Sequence, residues 1–414
     1  MKTLQKLLLL TLVSAHQLSQ AQPRLEKGLV DLRQYDFADN GAFTLDGEWE
    51  FYMSQLISPG DFSTIGGEPK DYVDFPSAWN ISAGTQNFGF ATYRLTLQLN
   101  AKQSLALQIP HCYSNYTLWA NGKIISANGV VGKSPDQSKP QWLPATVNLP
   151  SETTVSLILQ ISNFHHAIGG IRESILLGDR EDMHFRKSVS LTSNLVLVVG
   201  LLVLALVAGF VCILYKSNAV LFFACFTLAW GVREAFSNLY LGVQYMPDFP
   251  WAAAVKIEYT TLFLVMIFSM LFIGSLFKED VNTVFKYLFC FCNLVFIGIA
   301  VFLDASVYTQ FLPVYLSFAA ALLIFIVYVL IRAVVYERQG VWLIIACLFL
   351  GVIIFSYDLI SYQGLANFNP IIISIGYLSM FALMSVALLF QVGIFKRSAA
   401  TNMLTYDDLY GGNK

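Results

Sequence analysis

The chain has 414 residues, 27 acidic and 25 basic side chains and a formal charge of −2; it is 56% hydrophobic, 14% aromatic and 13% charged. A water-soluble protein carries about twice that charged fraction, which excludes a disordered chain and argues against a single soluble globule. The near-zero net charge offers no basic field for nucleic acid.

The charges are unevenly placed: only fifteen fall within residues 188–395, so the front of the chain is ordinary in composition and the back is membrane-like. At the start, Lys2 and Lys6, the apolar run Leu7 to Ala15 and the small-x-small triplet Ser19-Gln20-Ala21 read as a secretory signal over 1–21. The run is too short to span a bilayer, and cleavage after Ala21 would put the next segment outside the cytoplasm.

Residues 22–187 read as an all-β domain. Ala91 to Leu99 alternates apolar and polar residues at every step, and Val155 to Ser162 does so with one exception, Ile158. Period two marks strands with one buried face. Asn121-Gly122 predicts a tight hairpin turn, and Trp49, within a strand, reads as core. A sandwich of two antiparallel sheets follows. All five histidines lie within residues 1–187 (His16, His111, His165, His166, His184), which excludes a histidine-based metal, haem or protease site in the membrane. Cys112 is the only cysteine of the mature soluble part, so no disulfide forms within it.

Residues 188–397 divide into seven apolar stretches, near 191–214, 219–239, 251–275, 283–303, 307–331, 341–360 and 370–394. Each reaches the roughly 20 residues that a membrane-crossing helix needs. With the β domain outside, Lys216, Lys278, Lys286, Arg332, Arg338, Lys396 and Arg397 fall on cytoplasmic segments, as the positive-inside rule expects. Arg186 and Lys187 run against it. The segment 398–414 is then a short cytoplasmic tail in an inner-membrane, multi-pass protein.

Several stretches now resemble a known family, the bacterial seven-transmembrane receptors with diverse intracellular signalling modules. In the front these are Leu45 to Phe51, Phe75 to Asn80, Gly89 to Arg94, Leu118 to Gly122 and Ser162 to Gly170. In the back they are Trp230 to Arg233, Lys256 to Tyr259 and Tyr357 to Leu359, where Tyr357 stands in place of an expected Asn. The resemblance implies a periplasmic jelly-roll or galactose-binding-like domain similar to the sugar-binding domain of β-galactosidase-type hydrolases. Such receptors usually continue into a kinase, cyclase or DNA-binding module; the nineteen residues after position 395 cannot bury a core. The expected function is a sensory receptor or signalling adaptor, without enzymatic activity, that takes a small-molecule or glycan ligand outside and reports to a separate cytoplasmic or membrane signalling protein. An oligomer is compatible with this. A transporter or lipid-handling protein is the alternative, although no repeats or midplane helix breaks point to it.

A sugar site combines aromatic faces with fixed amides and charges. The candidates are Trp79, Arg94, Trp119, Asn163, His165, His166 and Arg172, with Trp142, Tyr113 and Tyr116 nearby and Gly169-Gly170 letting a loop approach a ligand. The competing reading makes Trp79 core and the two histidines structural hydrogen-bonders. No cofactor is expected; Asp36, Asp39, Asn40 and Asp46 could hold calcium or form a solvated turn. Within the helices, Arg233 and Glu258 fall at matched depth, roughly 9–11 Å by the helical rise, which predicts an ion pair. Glu234, Lys256 and Asp358 would extend it into an intramembrane network: a static staple, a rearranging relay, or an ion or proton path.

Overall fold

The computed structural model describes residues 23–62, 71–79, 87–100, 103–246, 248–338, 340–362 and 369–391. The expected signal at 1–21, Asn80, Lys396, Arg397 and the tail at 398–414 lie outside the described residues.

The described residues of the front form eleven strands: β1 Leu29–Asp31, β2 Phe43–Thr44, β3 Gly47–Met53, β4 Asp71–Phe75, β5 Gly89–Gln98, β6 Leu105–Ile109, β7 Asn115–Ala120, β8 Lys123–Asn128, β9 Ala145–Asn148, β10 Thr154–Asn163 and β11 Leu176–Asp179. They make two sheets, one ordered β4-β3-β5-β10-β7-β8 and the other β2-β11-β6-β9. Pairing is antiparallel except where β1 joins β5 in parallel. The alternation of the sequence sets which side chains enter the sandwich: Tyr93, Leu95, Leu97, Leu157 and Leu159 are 0% exposed. Trp49 is equally buried, stacks on Phe75 at 4.3 Å and donates its indole N–H to the Leu45 carbonyl at 2.9 Å. Asn121 and Gly122 take φ of 47° and 81°, the left-handed pair that a two-residue hairpin requires. Cys112 is buried and unpaired.

Two polar positions depart from the pattern. Thr92 points away from the core yet is fully buried, because its hydroxyl donates to the Gln55 carbonyl and accepts from Ile57 N as the segment 54–62 folds over the sheet. The Gln160 amide donates to the Ile57 carbonyl from the same side.

Seven long helices follow among the described residues: α1 Arg180–Tyr215, α2 Asn218–Phe236, α3 Trp251–Leu276, α4 Thr283–Phe302, α5 Leu312–Val335, α6 Val341–Tyr362 and α7 Pro370–Gln391. All seven are long and apolar enough to cross a membrane. The expected first span began near 191, but α1 starts eleven residues earlier, directly from β11. Asp179, the last residue of the strand, caps it by accepting from Glu181 N at 2.9 Å, which satisfies a first-turn donor. Met183 is fully buried against Gly178 of β11. A helix of 36 residues measures about 54 Å against about 30 Å of hydrocarbon. It therefore projects beyond the apolar layer towards the sandwich without a linker. Successive helices pack on one another and α7 returns to α1.

At the end of the bundle away from the sandwich, Asp280 is buried in the α3–α4 turn. It meets Arg338 Nε at 3.1 Å and Arg332 Nε at 3.7 Å, tying that turn to the end of α5.

Leu157→Ala should lower the stability of the β domain by about 2–5 kcal/mol, the range for emptied core positions. Lys123→Ala, on the exposed side of the hairpin, should leave it nearly unchanged. Thermal unfolding of the purified full chain separates the two outcomes.

Candidate functional site

The segment that follows β10 is held by one side chain. Asn163 is 0% exposed. Its amide nitrogen donates to the carbonyls of His166 at 2.7 Å, Asn87 at 2.8 Å and Ile168 at 3.1 Å. Its oxygen accepts from the backbone N–H of His166 at 3.1 Å and His165 at 3.3 Å. Gly169 and Gly170 close against the Trp79 indole. A Cβ on Gly169 would sit 2.5 Å from Trp79 Cε3, and Gly170 has φ of +82°. The glycines are therefore required by this packing, where the sequence suggested close approach to a ligand. Trp79 is 1% exposed and donates to the Tyr93 hydroxyl at 2.8 Å, so it is a core residue.

Thus fixed, the loop faces the helices. Ala167 N donates to the Thr309 hydroxyl at 3.0 Å, reaching the short helical segment that precedes α5. His166 is buried and stacks on Tyr113, with ring centroids 4.8 Å apart and planes at 16°. Trp142 packs edge-on against Tyr113 at 5.3 Å, His166 at 5.1 Å and Trp251 at 5.1 Å. Tyr240 lies 5.9 Å from His111. His165 lies 6.2 Å from Trp251. These rings form a continuous apolar cluster in which the β domain supplies Tyr113 and Trp142 and the helical part supplies Tyr240, Val243, Trp251 and Tyr308. The cluster carries four buried polar atoms without a hydrogen-bond partner among the described residues: Trp142 Nε1, Trp251 Nε1, His165 Nδ1 and the Tyr308 hydroxyl. Burial lowers the affinity of His166 for a proton, with its pKa down to about 3, and pushes His111 and His165 in the same direction. The nearby Arg172 guanidinium adds to this at His111 and His166, while Glu173, 3.6 Å from His111, opposes it there.

Arg94 and Trp119 lie elsewhere, on the outer face of the larger sheet. Arg94 Nη1 meets Glu50 Oε2 at 3.5 Å, and its guanidinium sits 4.9 Å from the centre of the Phe62 ring. Both residues pair with Ile158, one on each side. Asp36 is an N-cap for Ala38, and Asp46 accepts from the Ser174 hydroxyl. Among the described residues, no three His, Cys, Asp or Glu side chains gather as a metal site would need.

The intramembrane charges are only partly brought together. Arg233 meets Glu258 through the backbone carbonyl of that residue, Nη1 to oxygen 2.9 Å, where an ion pair with its carboxylate was expected. Thr261 donates to the same carbonyl at 3.0 Å. Glu234 is 5% exposed, and its Oε2 has no hydrogen-bond partner among the described residues. It lies within electrostatic reach of Arg233 and Asp358, and Asp358 in turn within reach of Glu173 of the β domain. Lys256 leaves the network: its ammonium donates to the Val301 carbonyl at 2.7 Å, at the end of α4. The charged group thus sits at the sandwich side of the bundle.

The sequence missed Trp251, Tyr240 and Thr309 as contact residues. Trp and Tyr at a helix start ordinarily read as anchors at the membrane surface, and nothing local marks them as seats for another domain.

Residues 192–397 match a family model described as 7TM diverse intracellular signalling. The β domain has slight structural likeness to several glycosidases. One is a Ruminococcus gnavus beta-glucuronidase, 15% identical over 33% of this chain and 27% of that one, TM-score 0.25. Another is a glycosyl hydrolase family 2 member from Bacteroides cellulosilyticus, 14% identical over 33% and 20%, TM-score 0.26. A third is Bacteroides uniformis beta-glucuronidase 2, 18% identical over 33% and 17%, TM-score 0.26. The chain spans about a quarter or less of those enzymes, and the likeness is too slight to bear on ligand or activity. No curated protein matches the chain.

Two expectations follow from this geometry. As pH falls through about 6.5 the unfolded chain protonates His166, but the folded chain resists until about 3. The stability from this residue is therefore complete above the upper value and is lost below it, at up to about 1.4 kcal/mol per pH unit. The melting temperature of the full chain should fall between pH 7.5 and pH 5, and less steeply in His166→Gln. In the bundle, Arg233→Met should cost a few kcal/mol because it strips the cation from buried carboxyls. Glu258→Gln should cost clearly less, since the carbonyl that Arg233 holds remains; unfolding in detergent measures both.

Proposed function

The chain belongs, through residues 192–397, to the 7TM diverse intracellular signalling family of membrane sensory receptors, and from that premise we propose that it senses a carbohydrate ligand outside the cytoplasm and passes the signal to a separate cytoplasmic partner. The observation that carries this reading is the seating of the β domain on the helices. The Asn163–Gly170 loop, Tyr113 and Trp142 rest on Trp251, Tyr240 and Thr309, and β11 runs into α1 without a flexible residue between them. A movement of the sandwich is thereby transferred to α1, α3 and the segment before α5 together.

The contact is suited to having two arrangements. Four polar atoms at the junction are buried without partners among the described residues, and each would gain water if the surfaces parted, which offsets part of the lost apolar contact. The charges of Arg233, Glu234 and Asp358 lie just beneath and would respond to a changed distance from Glu173. In this reading the Arg233 group relays the signal. The signal-like residues Lys2 to Ala21 and the basic segments between the apolar stretches support a periplasmic β domain and a cytoplasmic C-terminus.

The test is a double variant, Trp251→Ala with Thr309→Val, which weakens the seat and leaves the β domain itself unaltered. Cells carrying the wild-type chain should change their transcription when mixed polysaccharides are supplied, and cells carrying the variant at equal membrane abundance should not. An unchanged response in the variant would refute the junction as the signalling path.

A further inference from the structure

The outer face of the larger sheet carries a row of side chains that the function derived above does not use. Strand register places Tyr72 of β4 opposite Glu50 of β3, Glu50 opposite Arg94 of β5, Arg94 opposite Ile158 of β10, Ile158 opposite Trp119 of β7 and Trp119 opposite Ile124 of β8. Six consecutive strands thus present one rung, with aromatic or apolar groups towards its ends and an ion pair between. We propose that this row is the binding strip for a short linear carbohydrate. The inference rests on the receptor reading for its purpose and names the place and class of its ligand.

The composition of the row matches the two sides of a sugar. Tyr72 and Ile124 are 41% and 62% exposed, and Trp119 is half-buried, so apolar faces are available for stacking. Arg94 and Glu50 supply a donor and an acceptor already fixed in place. The Glu50 carboxylate accepts from the Tyr52 hydroxyl at 3.1 Å, and Phe62 lies against the guanidinium. Arg94 Nε is buried and has no partner among the described residues, a donor that a ligand hydroxyl would satisfy. Ile158, 4% exposed, fills the floor between Arg94 and Trp119. The segment 54–62, pinned at Ile57 to Thr92 and Gln160, walls one side. Thr96 and Ser156 border the other side with small, half-buried hydroxyls.

Size decides between a sugar and a protein partner. Five strand spacings of about 4.8 Å make the row roughly 24 Å long. It is one side chain wide, so it offers on the order of 200 Å², far below the ~800 Å² that each side of a stable protein interface buries. A short oligosaccharide fits that footprint. None of the six residues belongs to the aromatic junction cluster, so the strip is separate from the helices.

The experiment uses the full chain in lipid nanodiscs and a microarray of printed plant and bacterial oligosaccharides of two to six sugars. The wild-type chain should retain at least one of them. Trp119→Ala, Tyr72→Ala and Arg94→Gln should each weaken that retention about tenfold or more. Ile124→Arg, which alters an exposed side chain and cannot empty the core, should block it with an unchanged melting temperature. Retention of no printed oligosaccharide, or retention that survives Trp119→Ala with Ile124→Arg, would overturn the strip. So would binding lost in His165→Ala with His166→Ala but kept in the strip variants, which would move the site to the junction loop. A failed array result leaves the transcriptional comparison of the seat variant intact, so the two readings fail separately.

Discussion

Both hydrogen-bonding atoms of the Asn163 amide are used, on the loop that follows it and on the Asn87 carbonyl beside it, and the arrangement of the two domains depends on that saturation. Without it the backbone groups of His165, His166 and Ile168 would need other partners, and the loop would have no fixed shape to present to the helices. With it, Ala167 is delivered to Thr309 and His166 to Tyr113, and the glycines close on Trp79. A single buried amide thus connects the core of the sandwich to the surface on which the bundle rests. Because a buried amide left unpaired is costly, the loop is held as a unit.

The two domains are stabilised in different surroundings, and the junction has to serve both. The sandwich excludes water from a core of aromatic and aliphatic residues. The helices expose large apolar side chains such as Leu206, Phe210 and Ile213 along their length, as surfaces facing hydrocarbon do. Where the two meet, neither water nor lipid is the natural partner, and the contact is made of rings with one polar edge: Trp142, Trp251, Tyr240, His165 and His166. Their apolar bodies pack well, and Trp142 Nε1, Trp251 Nε1 and His165 Nδ1 are buried without a hydrogen-bond partner among the described residues. That combination distinguishes the junction from either core.

What could be read from the sequence follows from how local the cause is. The alternation in Ala91–Leu99, the turn at Asn121-Gly122 and the seven apolar runs each depend on neighbours in the chain, and the structure has strands, hairpin and helices at those places. The uses of Trp79 and of Gly169-Gly170 depend on a contact across some ninety residues, and there residue type alone misled: the indole is core and the glycines make room for it. The matched depth of Arg233 and Glu258 was legible from the helical rise. That the guanidinium takes the carbonyl and not the carboxylate was not, because it depends on the rotation of each helix about its axis. Arg94 and Trp119 were both singled out, but only strand register reveals that they share a rung with Glu50 and Tyr72.

The unbroken passage from β11 into α1 also constrains how the gene can vary. A loop between domains absorbs insertions. Here each residue added between Asp179 and the apolar part of α1 would turn everything beyond it by about 100° and push it about 1.5 Å along the axis, while the loop at Ala167 still holds the sandwich to Thr309. One added residue would set the two attachments against each other; seven, close to two full turns, would restore the facing but lengthen the stalk beyond the reach of the second attachment. Length at this point is therefore fixed by geometry, and substitutions are the only change the segment can readily accept.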